Sequence, residues 1–128
     1  MILNDLVDLL EIEEYGTAGE DIFYNYMIDE PDNVIVVTLL PGQPFIQKMT
    51  DVHYNVQITV RNTDYDLGYE MITTMANKFH DRDSYYTTNP NNGRKMRIRV
   101  NSTPSLLTID NSNRAVYTLY LIVTTVRD

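Results

Sequence analysis

Residues 52–81 change from a strand-like to a helix-like pattern of apolar positions within a few residues. Apolar and polar side chains first alternate, which predicts a strand with one buried face formed by Tyr54, Val56, Ile58 and Val60. Asn62, Thr63 and Asp64 then supply oxygens that can accept hydrogen bonds from the free amides of a helix start. We therefore predict a half-buried strand that leads directly into a helix beginning close to Asp64.

The predicted helix has an apolar stripe. Its apolar residues recur at spacings of three and four, a pattern typical of a helix that packs on one face, and they are Tyr65, Tyr69, Ile72, Met75, Ala76 and Phe79. A second amphipathic helix is predicted at the N-terminus, with Leu3, Leu6, Val7 and Leu10 on one face. Gly16 and Gly19 are expected to end it.

Further strands are predicted on both sides of the central helix. Three segments are rich in β-branched and aromatic residues, namely 22–27, 34–40 and 115–126. In KMRIRV, at 95–100, apolar residues alternate with Lys95, Arg97 and Arg99, which predicts a strand with one basic face. The element order predicts a single α+β domain over residues 1–128, a mainly antiparallel sheet of about four to five strands with two helices packed on one face.

Two segments between these elements are predicted to be irregular. Residues 41–50 contain two prolines and a glycine, which excludes regular structure and predicts a loop of the length that often carries function. Residues 101–114 are interrupted by Pro104 and are predicted to turn again at 110–113.

Composition excludes several kinds of site. The chain has no cysteine and only two histidines, His53 and His80, so we expect no disulfide, no metal site and no cofactor. No run of about 18 apolar residues could cross a membrane, and acids stand where a signal peptide would carry basic residues, so a cytosolic origin is expected.

The charges are unevenly distributed along the chain. Residues 1–47 contain ten acids and no lysine or arginine, whereas residues 48–128 contain ten basic residues against eight acids, a net of +2. A molecule with this polarity could attract a copy of itself head to tail. The alternative is that both parts are ordinary solvated surface.

Candidate catalytic groups have simpler interpretations. His80, Asp81 and Asp83 could form a metal-dependent nuclease site, but a solvated helix end explains them with fewer assumptions. Asp64 and Asp66 fit a helix start better than a catalytic pair, because side chains two apart on a helix diverge. The basic strand could contact nucleic acid, yet a pI near 4.5 favours a protein partner. We expect no catalytic residues and no enzyme activity.

Two longer segments carry a resemblance to a known family. The segments VQITVRNTDYDLGYEMITTMANKF and RVNSTPSLLTIDNSNRAVYTLYLIV, together with ILNDLVDLLE and GEDIFYNYMIDEPDNVIVV, cover nearly the whole chain. In element order and scattered residues they resemble the minor capsid proteins of bacteriophages that are similar to siphophage tail terminators, also called tail-completion proteins.

The resemblance implies a structural protein of the virion neck, assembled in the cytoplasm of the host bacterium. Its expected partners are other copies in a homohexameric ring, the tail tube protein and the head connector or stopper protein. Viral double-stranded DNA would pass through the lumen without specific binding, and no membrane is involved. A head-completion or stopper protein of the connector is the alternative.

Site residues for such a ring follow from the charges and the loops. We expect subunit contacts to join acids of the first helix and its end to the basic strand, specifically Asp5, Asp8, Glu11, Glu13 and Glu14 with Arg94, Lys95, Arg97 and Arg99. The loop at 41–50 is expected to reach the lumen or the tube through Gln43, Phe45, Gln47 and Lys48.

Overall fold

The computed structural model describes residues 2–25, 27–41, 51–79, 86–87 and 95–126. These residues form two helices and seven strands in the order α1 (Ile2–Ile12), β1 (Ile22–Tyr24), β2 (Val34–Leu40), β3 (Asp51–Asn62), α2 (Tyr65–Phe79), β4 (Tyr86–Thr87), β5 (Lys95–Val100), β6 (Ser105–Ile109) and β7 (Ala115–Val126). The predicted α+β fold class is confirmed.

All seven strands join one sheet. Six of them follow the spatial order β1-β2-β3-β7-β5-β4, and β6 pairs with β7 beside that path. β1 runs parallel to β2, whereas the other pairs are antiparallel. The sheet is therefore mixed and has more strands than the four to five predicted, because the two-residue β4 was not predicted and β6 lies in a segment that was expected to be irregular.

β5 and β6 lie end to end along one edge of β7. β5 pairs with residues 121–125 of β7, and β6 pairs with residues 115–118. The link between them stays attached to β7, because the Asn101 amide donates to the Tyr120 carbonyl at 2.8 Å and the Tyr120 amide donates to the Ser102 hydroxyl at 3.0 Å. This edge of the molecule is thus built from two successive strands.

Both helices contribute to one hydrophobic core on one face of the sheet. α1 packs against β1 and β2, and α2 packs against β3, β5 and β7. The core includes Leu6 and Leu10 of α1, Ile72 and Phe79 of α2, and strand residues such as Leu119. The prediction that two helices cover one face is confirmed.

The buried stripe of α2 differs from the predicted one at its start. Gly68, Ile72, Met75, Ala76 and Phe79 are buried, whereas Tyr65 and Tyr69 are 39% and 53% exposed. A Cβ on Gly68 would lie 3.1 Å from both Asn62 Cβ and Tyr117 Cε2, so the first turn of the helix packs tightly on β7 through its backbone. Tyr65 and Tyr69 consequently cover the buried Tyr117 from the solvent side. The Tyr117 hydroxyl donates to the Tyr65 carbonyl at 2.9 Å, and the Tyr69 and Tyr117 rings meet edge to face.

The helix start at Asp64 is confirmed. Its Oδ1 accepts a hydrogen bond from the Leu67 amide at 3.1 Å, which is the contact expected of an N-cap residue. Asn62 Oδ1 accepts from the Asp64 amide at 2.9 Å, and Asn33 Oδ1 accepts from the Thr63 amide at 2.9 Å. Side chains on both sides therefore fix the short connection between β3 and α2.

The end of α1 was predicted too late. The helix stops at Ile12, and Glu14 adopts a left-handed conformation with φ of 64°. The Tyr15 amide donates to the Leu10 carbonyl and the Glu14 amide to the Glu11 carbonyl, both at 3.0 Å, the bond pattern of a Schellman motif. Glutamate thus occupies the position where glycine is usual, and neither Gly16 nor Gly19 ends the helix.

Candidate interaction surfaces

The basic strand β5 presents arginines on the sheet face opposite the helices. Ile98 is buried in the core, whereas Arg97 and Arg99 are exposed, as the alternation predicts. Arg97 is level with Thr124 on β7, and Thr124 is level with His53 on β3. Thr124 Oγ1 and His53 Nδ1 are hydrogen-bonded at 2.8 Å. Lys95 is placed by its backbone at the start of β5, and Arg94 lies outside the described residues.

The acidic end of α1 is partly exposed and partly engaged. Asp8 and Glu14 are exposed and Glu11 is half-buried, while Asp5 is placed in the helix by its backbone alone. Glu13 forms an ion pair with Lys78 near the end of α2, and the Lys78 ammonium lies 6.0 Å from the centre of the Tyr15 ring. Burial is the main reason why the pKa of Tyr15 is raised. Glu13 is therefore already paired within its own chain.

The acidic and basic surfaces lie on opposite sides of the molecule. α1 packs at the β1 edge of the sheet, whereas β5 lies beyond β7 towards the other edge. The arginines of β5 also project from the face that the helices do not cover. Arg97 and Arg99 thus lie on the sheet face that α1 does not cover, and a contact between these two surfaces would have to join different copies of the chain.

A pair of buried arginines fixes an acidic loop on the face opposite the helices. Arg61 is 3% exposed, and its guanidinium donates to three backbone carbonyls, those of Asp29 at 3.1 Å, Pro31 at 2.7 Å and Asp32 at 3.0 Å. Burial lowers the pKa of Arg61, and the neighbouring positive charge of Arg114 lowers it further. These contacts hold the backbone of residues 29–32 against β3.

Arg114, at the start of β7, ties the same loop to the turn before it. Its side chain makes ion pairs with Asp110 at 2.8 Å, Asp29 at 3.0 Å and Asp32 at 3.3 Å, and it also donates to the Asp29 carbonyl at 2.7 Å. The hydrogen bond from Arg114 to the Asp29 carboxylate is the largest cause of the raised pKa of Arg114. Three carboxylates therefore compensate two adjacent guanidinium groups.

Sequence reasoning did not identify this arginine pair. The period-two pattern placed Arg61 on the polar side of β3, where solvent exposure was expected, but Thr59, Arg61 and Asn62 are all buried. An arginine at the end of a strand gives no signal that its partners are backbone carbonyls about 30 residues earlier in the chain. Asp110 was predicted only as part of a turn, and Arg114 was noted only within a segment that carries the resemblance.

A comparison with family models identifies the group to which these features belong. The model described as bacteriophage tail terminator protein matches residues 9–127. The chain belongs to the bacteriophage tail terminator family. A comparison with curated proteins finds no match.

The family match gives this tail terminator chain a structural role in the phage tail. The matched residues include every strand and α2 but begin within α1, so Asp5 and Asp8 lie before the match, whereas Glu11, the buried arginines and the whole of β5 lie inside it. The predicted family is confirmed by this match.

Several expected site residues of the terminator chain cannot be placed. Gln43, Phe45, Gln47 and Lys48 lie outside the described residues, as do His80, Asp81 and Asp83. Among the residues that the structure does describe, no group of three or more histidine and acidic side chains could hold a metal ion. In that same part of the chain, neither helix has the length and apolar character needed to cross a membrane.

The turn at Asp110 makes the stability of this terminator domain depend on pH. Hydrogen bonding to the Arg114 amide is the main reason why the pKa of Asp110 is lowered from its ordinary value of 3.8. The unfolded chain then binds this proton more readily, so the stabilisation is complete above the ordinary pKa and is lost as pH falls through the lower folded value. We expect Asp110→Asn to reduce the drop in melting temperature between pH 6 and pH 3, as measured by circular dichroism. An unchanged drop would contradict the assignment.

Proposed function

We propose that this chain is a tail terminator in the full sense. Its copies form a hexameric ring that caps the finished tail tube, stops further polymerisation and presents the opposite face of the ring to the head connector at the virion neck. The ring assembles in the cytoplasm of the host bacterium, and viral DNA passes through the lumen without specific binding. Family membership supports the tail location of this function.

The observation that carries the ring proposal is the separation of unlike charges. A cyclic ring uses heterologous contacts, in which two different surfaces of each subunit meet, so the two surfaces must lie on different sides of the subunit. The end of α1 and the face of β5 meet this requirement. Because the arginines project from the face opposite α1, the contact requires adjacent subunits to be tilted relative to one another.

The acids at the end of α1 support the same proposal on energetic grounds. A helix C-terminus carries a partial negative charge, so acidic residues there are locally unfavourable. Glu11 lies in the last turn of α1, no basic residue occupies that turn, and Glu13 and Glu14 follow. Lys78 compensates Glu13. A basic surface of the next subunit would compensate Glu11 and Glu14.

Charge reversal tests the electrostatic part of the proposal. We expect the double variant Arg97→Glu/Arg99→Glu to assemble less well than the wild type and wild-type assembly to weaken as salt is raised. Mass photometry over a concentration and salt series measures both effects. Mixing this variant with Asp8→Arg/Glu14→Arg should restore mixed assemblies, because each variant then offers the charge that the other needs. Assembly that is indifferent to all of these changes would remove the electrostatic contact.

Electron microscopy tests the function itself. Purified chain is mixed with the tail tube protein of the same virus and imaged by negative staining. Rings at one end of the tubes, and tubes of limited length, are the expected result. Uncapped tubes of unlimited length would contradict the terminator proposal, and binding to the portal complex would then support the stopper alternative.

A further inference from the structure

The strand β6 exposes large apolar side chains at an open sheet edge. All five of its residues are exposed, and Leu106, Leu107 and Ile109 are 52%, 62% and 46% exposed. Its pairing with β7 shifts register between Leu106 and Thr108. Leu107 is therefore an extra residue of β6 between two positions that pair with neighbouring residues of β7. Exposed apolar edge strands promote association, and soluble proteins usually cover or charge them.

The opposite edge of the sheet carries an apolar cavity. Its volume is about 220 Å³, and it is lined by Val7 of α1, by Ala18 and Gly19 of the following turn, and by Ile22, Phe23 and Tyr24 of β1. None of these side chains is charged. Since an apolar cavity of about 150 Å³ can hold a benzene molecule, this one has room for a leucine side chain.

β6 and the cavity lie at opposite ends of a row of paired residues that crosses the sheet. This row runs from Ile22 through Ile35, Val60 and Tyr117 to Leu106. Ile22, Ile35, Val60 and Tyr117 all belong to the core on the helix side, so Leu106 points to that side as well. The apolar strand and the cavity are therefore level with each other, on the same face, at opposite edges of the sheet.

The edge of β1 is closed to strand pairing at Ile22 but remains open to side chains. The Ile22 amide donates to the Thr17 carbonyl at 3.2 Å, and the Ile22 carbonyl accepts from the Gly19 amide at 3.0 Å. The turn at 17–19 thereby occupies the outward backbone groups of Ile22. A neighbour could reach this edge by inserting apolar side chains, whereas a continuous intermolecular sheet through Ile22 is blocked.

We propose that β6 of one subunit docks on the cavity between α1 and β1 of a second copy of this chain, with Leu106 entering the cavity. This inference rests on the proposed ring and names the apolar part of its subunit contact. A closed ring repeats one heterologous contact, and β6 and the cavity are an apolar projection and an apolar recess on opposite sides of each subunit. β6 shares the outer edge of β7 with β5, and α1 borders the cavity. The apolar and the charged contacts therefore use the same two sides of the molecule.

Chemical cross-linking tests the contact directly, because the chain has no cysteine of its own. Leu106→Cys and Ala18→Cys are combined in one chain, and a short bismaleimide reagent is added at concentrations where the wild type is assembled, with and without the tail tube protein. Denaturing electrophoresis should show a ladder from dimer to hexamer. The two single variants, mixed together, should stop at dimers, and each alone should remain monomeric.

The same experiment separates failure of this contact from failure of the ring. If the wild type caps tubes but the double variant gives no ladder, the inference is wrong and the proposed function stands. Dimers from Leu106→Cys alone would show that β6 meets another β6, which also overturns the inference. If no ring forms under any condition, both proposals fall together.

A second pair of variants measures how much the apolar contact contributes. Leu106→Ser/Leu107→Ser removes exposed side chains, so the monomer should keep its melting temperature while the concentration for half assembly rises at least about tenfold. Leu67→Ser is the matched control, since Leu67 is 46% exposed on α2 and lines neither β6 nor the cavity. Equal assembly of the double variant and the wild type would contradict the proposal.

Discussion

Arg61→Ala is expected to lower the free energy of unfolding by about 3 kcal/mol, which is a large part of the stability of a small domain. The substitution removes a buried side chain and three hydrogen bonds from a charged donor to backbone carbonyls. Residues 29–33 are exposed, so the released carbonyls can reach water and the loss stays below the sum of three separate bonds. Urea unfolding followed by circular dichroism measures the change.

Two further arginine variants control this experiment. Arg99→Ala removes an exposed arginine from the same sheet and should change the free energy of unfolding by no more than about 0.5 kcal/mol. Arg61→Lys keeps the charge but not the planar fork of donors, so its loss should lie between those of the two alanine variants. If Arg61→Ala were as mild as Arg99→Ala, the loop at 29–32 would not depend on the buried guanidinium.

The arginine pair also bears on assembly, because it determines where an acidic loop is displayed. Asp29 and Asp32 remain largely exposed although they pair with Arg114, with 90% and 65% of their side chains accessible. Loss of Arg61 would release this loop from β3 without altering any charge on the surface. A change in ring assembly in Arg61→Ala, at temperatures where the variant is folded, would therefore reflect the position of the loop, because the charge that is removed is buried.

Local patterns predicted the elements that have strong periodicity or clear end signals. The alternation in β3, the cap at Asp64 and the apolar spacing in α2 each depend on neighbouring residues, and the cap is confirmed. The other two patterns hold only in part, because Thr59 and Arg61 of β3 are buried and the first two tyrosines of the α2 stripe are exposed. Glu14 shows the limit of such signals. A left-handed glutamate at a helix end is uncommon, and here the packing of Tyr15 against the core accompanies it, which is a tertiary contact that no local pattern reveals.

β6 was not predicted as a strand, because its formation also depends on contacts that its own residues do not reveal. Its residues do not alternate between buried and exposed, because neither face of the strand is covered and the register shift at Leu107 disrupts the period. Strand formation there depends on the matching edge of β7, which begins only after the turn at 110–113. Exposed apolar residues in a strand edge become informative only once the sheet order is known.

The charges of the candidate interface were predicted from sequence, whereas the positions of its residues in the fold were predicted less well. The polarity of charge along the chain was readable from sequence, and the outward direction of Arg97 and Arg99 is confirmed. The pairing of Glu13 with Lys78 could not be read from sequence, since it depends on how the ends of α1 and α2 meet on the sheet. The contacts between subunits stay a prediction, as does the role of the loop at 41–50.

Phe79→Ala is expected to lower the free energy of unfolding by about 3–5 kcal/mol, which is at least as much as the loss expected for Arg61→Ala. Phe79 is 1% exposed and is among the largest fully buried side chains. It closes the C-terminal end of the buried stripe of α2, beside Lys78, whose ion pair with Glu13 links α2 to the end of α1. Truncation would leave a cavity at this junction, because a close-packed core relaxes only partly around a missing ring.

Leu67→Ala provides the matched control on the same helix. Leu67 is 46% exposed, so its truncation should cost no more than about 0.5 kcal/mol, and alanine keeps the helix propensity high. Since small domains are stable by about 5–15 kcal/mol, Phe79→Ala should lower the urea midpoint strongly while Leu67→Ala barely moves it. Similar losses in the two variants would mean that α2 is held by its first turns, where Gly68 meets Tyr117, and not by the stripe that ends at Phe79. The position of α1, and with it the cavity proposed to receive β6, would then not depend on the C-terminal end of α2.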